Sequence, residues 1–194
     1  MSIENIQPTI DNVNYYLQQW DSLENYVLQE AALDKLFSKT YPNNTDISDI
    51  LIKASSLNDF YSTNIFSIFP VAKHILSLDI DERLYSGDET LVNEIAFVNM
   101  NGTYKNFYSF ATKYCSHHCP FEFPIYDRYV EKVLMAYKKK DKFAKFTKAD
   151  LKDYPKFKSV IIQFREYYGL TEFSLKDIDR YLWQLGKELF PIQY

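Results

Sequence analysis

The chain has 194 residues, a formal net charge of −4, seventeen Tyr, fifteen Phe and four Gly. This length buries a full hydrophobic core in one domain or in two small helical lobes, and no Gly-, Ser- or Pro-rich spacer separates two halves. Two Cys exclude a disulfide-stapled scaffold and point to reduced thiols. No run of about eighteen apolar residues occurs, and Met1-Ser-Ile-Glu-Asn lacks the basic-then-apolar order of a secretion signal, so a soluble, cytoplasmic protein with no membrane partner is expected.

Helical period dominates and strand alternation is nearly absent. Asp11 is placed to cap a helix running toward Val27, with Val13, Tyr16, Leu17, Trp20, Leu23 and Val27 on one stripe. Gln29 to Ser38 continues or restarts it, and Tyr41-Pro42 ends it. After the loop Asn43-Asn44-Thr45-Asp46, a helix carries Ile47, Ile50, Leu51, Ala54 and Leu57. A further one, Ile65 to Leu78, carries Ile68, Val71, Ala72 and Ile75, with Pro70 in its first turn or at a kink. Turns at Leu78-Asp-Ile-Asp81 and Ser86-Gly87-Asp88 follow, and Asp88 caps a helix to about Asn99. Asn101-Gly102 breaks the chain before a helix from Tyr104 to His117. Beyond a bend with two prolines, Tyr126 to Lys139 is helical, Pro155 opens a helix reaching Tyr168 and Gly169 ends it. Ser174 and Asp177 form a capping box for the last helix, Leu175 to Leu189. The expected class is all-α, with eight to ten helices, no sheet and one helical domain over residues 1–194.

Charge is unevenly spread. Residues 1–112 carry 6 Lys/Arg against 15 Asp/Glu, and residues 113–194 carry 16 against 11. Nine lysines lie between Lys138 and Lys158, interleaved with Tyr137, Phe143, Phe146, Tyr154 and Phe157. Such a tract suits a surface that follows a phosphate backbone, and equally a solvated lysine-rich face. Cys115-Ser-His-His-Cys119 places thiols and imidazoles together, but a structural zinc site needs two separated ligand pairs and no second pair exists. No metal and no cofactor are expected.

The segment Ser109 to Leu134 says most about chemistry. Its Pro124-Ile-Tyr-Asp127-Arg-Tyr-Val130 resembles the Pro-x-x-Asp-x-x-Val element of the helix-hairpin-helix base-excision DNA glycosylases, in which the aspartate begins a helix after a short loop. Phe60-Tyr-Ser-Thr-Asn-Ile65 is similar to the stretch that starts a pocket-lining helix in those enzymes. The resemblance implies a glycosylase-like core over residues 50–140, with 1–49 and 141–194 as a second lobe around a central cleft. It implies DNA as a partner and hydrolysis of an N-glycosidic bond, where a carboxylate at Asp127 stabilises oxocarbenium charge and orients water. Lys113, inside an apolar helix, is a second catalytic candidate as a buried amine, or a snorkelling surface lysine. Tyr61, Asn64, Tyr108 and Tyr126 are the base-pocket candidates, and Lys105, Lys138, Lys139, Lys140 and Lys142 the nucleic-acid-binding ones. Gln184, beside Trp183 on the last helix, is a remote candidate for reading a base edge.

Two features oppose that picture. The family's Gly-rich hairpin falls at Met100-Asn-Gly-Thr-Tyr-Lys-Asn-Phe107, where only Gly102 matches, so the phosphate anchor is weakened. Any Asp after Pro-Ile-Tyr also serves as a plain helix cap. The alternatives are a non-catalytic nucleic-acid- or ligand-binding protein of the same fold and an unrelated helical protein-interaction module.

Overall fold

Ten α-helices and one two-stranded sheet form among residues 3–191, the residues that the computed structural model describes. In chain order they are α1 (Ile10–Trp20), α2 (Glu24–Lys35), α3 (Ile47–Phe60), α4 (Ile68–Ser77), α5 (Asp81–Tyr85), α6 (Thr90–Ala96), β1 (Phe97–Met100), β2 (Thr103–Asn106), α7 (Tyr108–His118), α8 (Arg128–Asp141), α9 (Tyr154–Tyr167) and α10 (Leu175–Leu189). The all-α class holds. Thr9, one residue before α1, is its cap in place of Asp11. Asp46 caps α3, and Ser174 with Asp177 forms the full capping box of α10. The expectation of no sheet is corrected: the helix expected from Tyr104 begins at Tyr108, and β1 and β2 pair antiparallel with Met100 opposite Thr103. Asn101 and Gly102 both take positive φ, +55° and +91°, the two-residue turn that suits the right-handed twist of a hairpin. No helix of the described residues is long and apolar enough to cross a membrane.

The chain divides into two units, one of residues up to Glu24 and from Tyr126 onward, the other Asn25–Ile125. The glycosylase-like core expected over residues 50–140 draws on both. In the first unit α8 and α10 pack most intimately, and Val13, Val133, Tyr137, Phe164, Tyr181 and Leu185 build its core. Gly186 makes the approach possible, because a Cβ there would sit 2.8 Å from both Cβ and the carbonyl oxygen of Tyr129. Gln184 spends its amide N–H on Tyr16 O, 2.8 Å away, and Trp183 meets Trp20 edge-on, so both serve packing.

The second unit is organised around a buried ammonium. Lys53 on α3 is fully buried, and its Nζ donates to Tyr41 O and Asn43 O, each at 2.9 Å, and to Asn44 Oδ1 at 2.7 Å. Burial lowers its pKa to about 8, against the pull of Asp81 and Asp49. The Asn44 oxygen also accepts the Tyr114 hydroxyl at 2.6 Å. Its amide donates to Asp81 Oδ1 at 2.6 Å and faces His118 Nε2 at 3.2 Å. That nitrogen is also 3.3 Å from Lys53 Nζ, so the ring must present a lone pair there and be neutral. Burial, then the Lys53 charge, hold the His118 pKa well below its usual 6.5.

Two outcomes follow for stability. Gly186→Ala is expected to cost about 1–3 kcal/mol, as overpacking against backbone does, and to lower Tm by several degrees in a thermal melt. For His118 the unfolded chain binds a proton below about pH 6.5 that the folded chain refuses, so stability is full above that pH and lost as pH falls. Its contribution to the slope approaches about 1.4 kcal/mol per pH unit, one proton's worth, as pH falls below 6.5. His118→Gln should flatten urea-unfolding free energies over that window.

Candidate active site

The chain enters α8 through a bend in which Glu122 and Phe123 both donate their backbone N–H to Cys119 O at 3.1 Å. Phe123, Ile125 and Tyr126 are buried, and Asp127 is half-exposed at the helix start. Asp127 is the N-cap. Its backbone is extended, and Oδ1 accepts the Tyr129 N–H at 2.7 Å. Among the described residues Oδ2 has no hydrogen-bond partner.

One turn on, Glu131 is buried and ionised. Burial alone would raise its carboxyl, but hydrogen bonds from Lys148 and Tyr126 and the nearby charge of Lys152 outweigh that and hold it below the ordinary glutamate value. The Tyr126 hydroxyl donates to Oε2, Lys148 Nζ stands 2.8 Å from Oε1, and Lys152 Nζ lies 3.9 Å from Oε2. Lys152 also lies 3.9 Å from the centre of the Tyr126 ring. Burial lowers the Lys152 pKa, while Glu131 and Asp127 partly restore it. Two carboxylates, a phenol and two ammonium groups therefore meet at the start of α8. Asp127 and Tyr126 were expected there; Glu131 was missed, although a carboxylate four residues after Asp127, beside Val130, Val133 and Leu134, is the signal that would have revealed it.

Chemistry-bearing residues of the second unit lie on α7 and the end of α3. Lys113 is buried, with Nζ donating to Ser109 Oγ at 2.6 Å and lying 5.2 Å from the centre of the Tyr61 ring. The snorkelling alternative is therefore set aside. Tyr61 shares a hydrogen bond with His117, Tyr108 is buried in the first turn of α7, and Asn64 stands exposed in a loop with φ +58°. Lys105 is exposed on β2, opposite Val98.

The lysine tract does not form the banded face its sequence suggests. Tyr137, Phe143, Phe146, Tyr154 and Phe157 are all buried, so they pack and do not stack on bases. Lys138 donates to Phe146 O, Lys140 to Ile6 O at 2.9 Å, and Lys156 pairs with Asp150 at 3.1 Å. Lys139, Lys142 and Lys145 remain exposed. Cys115 and Cys119 are free thiols, and burial pushes both above their usual range. No group of three or more His, Cys, Asp or Glu among the described residues is placed to hold a metal ion.

Residues 12–122 match the family HI_0787_N, described as an N-terminal domain, over more than half of the chain. The chain belongs to the HI_0787_N family. A Haemophilus influenzae protein described as uncharacterised is 54% identical over 150 residues, which are 77% of this chain and 72% of that one. No solved structure matches. The HI_0787_N stretch spans α1 to α7 and stops at Glu122, so Asp127 and Glu131 lie beyond it.

The cap separates two roles by substitution. Asn accepts the Tyr129 N–H as well as Asp does, so Asp127→Asn should leave stability nearly unchanged. Asp127→Ala should cost about 0.5–2 kcal/mol, measured by urea unfolding.

Proposed function

We propose that this chain is a DNA-glycosylase-like protein that hydrolyses the N-glycosidic bond of a modified or damaged base, with Asp127 as its carboxylate. The observation that carries the reading is the state of Asp127: one oxygen is fixed by the Tyr129 amide, and the other is left for a reacting group. Helix capping and catalysis are compatible in that arrangement, because the cap uses one oxygen and aims the carboxylate. Glu131, Lys148 and Lys152 supply an ordered charged surround, and a positioned carboxylate is what an oxocarbenium-like transition state calls for. The Pro124-to-Val130 resemblance supports the choice of bond.

One observation favours a second reading, a nucleic-acid-binding protein without catalysis. A β-hairpin occupies the place where the DNA glycosylases carry a Gly-rich helical hairpin, so that phosphate anchor is lacking.

Duplex oligonucleotides bearing uracil, hypoxanthine, 8-oxoguanine or an alkylated purine are the substrates to try, with alkali-labile abasic sites as the readout. Strand scission is expected for at least one base, and Asp127→Asn should reduce its rate at least about 100-fold with the fold intact. Binding without abasic sites, weakening steeply with salt, would select the non-catalytic reading.

A further inference from the structure

A hydrogen-bonded chain of carboxylate, imidazole and phenol runs through the second unit, independent of Asp127. Asp34, near the end of α2, has its side chain 59% exposed, whereas the His117 side chain on α7 is 1% exposed. Asp34 Oδ1 lies 3.1 Å from His117 Nδ1, and the Tyr61 hydroxyl lies 3.0 Å from His117 Nε2. A carboxylate only accepts, so Nδ1 carries the proton; in the neutral ring Nε2 then accepts the Tyr61 O–H. The order is that of an activated hydroxyl: a base beside the nucleophile and a third group orienting the base. A phenol ionises near pH 10, far below an aliphatic alcohol. Lys113 Nζ lies 5.2 Å from the centre of the Tyr61 ring.

We propose that Asp34, His117 and Tyr61 form a second reactive site, in which Tyr61 is a nucleophile toward the tetrahedral phosphorus of phosphoryl esters or anhydrides. The Tyr61 oxygen bonds to phosphorus as the bond to the leaving group breaks, and the phenol proton passes to His117 Nε2. Asp34 stays ionised and steadies the imidazolium, which returns the proton to the leaving group.

The intact chain treated with a fluorophosphonate probe tests this directly: phosphorus–oxygen bond formation expels fluoride and sends the proton to His117. Peptide mapping should find Tyr61 modified at least tenfold faster than Tyr15, Tyr85, Tyr104 and Tyr167, which stand more than half exposed. Asp34→Asn, a change on the exposed end of the chain, and His117→Gln should each slow Tyr61 labelling at least tenfold. Labelling of Tyr61 no faster than of those four tyrosines, or a rate unaffected by Asp34→Asn in a folded variant, would overturn the proposal.

Discussion

The buried ammonium of Lys53 is the constraint around which residues 25–125 are arranged. A charge in that position is tolerable only when every proton finds an acceptor, since desolvation otherwise drives the amine to its neutral form. Tyr41 O, Asn43 O and Asn44 Oδ1 meet that demand, and so the irregular loop before α3 is fixed by the helix that follows it. Asn44 carries the constraint outward, to Asp81 on α5 and to Tyr114 and His118 on α7. Three helices and a loop thereby share one set of donors and acceptors with no slack, and α7 is held in place for Lys113 and His117.

The start of α8 solves a similar problem with more exposure. Glu131 is kept charged in a buried position by a phenol and two lysines, which are themselves drawn from the stretch after α8. The segment from Lys148 to Lys152 is thus tied to the helix start by electrostatics. Lysines of this tract thus close loops onto helices, at Lys138, Lys148 and Lys152, while Lys139, Lys142 and Lys145 present charge to solvent.

How far these features were legible varies with the range of the interaction that creates them. The Ser174–Asp177 capping box, the Asp46 cap and the Gly169 stop are decided within a few residues, and their spacing alone reveals them. The hairpin was not legible as strands because each has four residues and β2 is exposed throughout, so no apolar alternation marks it; Asn101-Gly102 was read as a break where it is a turn. Asp127 was readable as a helix start from Pro124-Ile-Tyr. The partners of Asn44 and of His117 were not, since Asp81, Tyr114, Asp34 and Tyr61 reach them from elements far along the chain. The aromatics between Lys138 and Lys158 misled for the same reason: periodicity shows that rings recur, and only tertiary packing shows that they point inward.

Tyr129 links two of these features. Its amide holds the Asp127 carboxylate, while its carbonyl and Cβ receive α10 across a gap that admits only the hydrogen of Gly186. The alignment of the acid is therefore set partly from the far end of the chain. Position 186 is thus both a seam between helices and the backing of the residue whose amide holds the carboxylate.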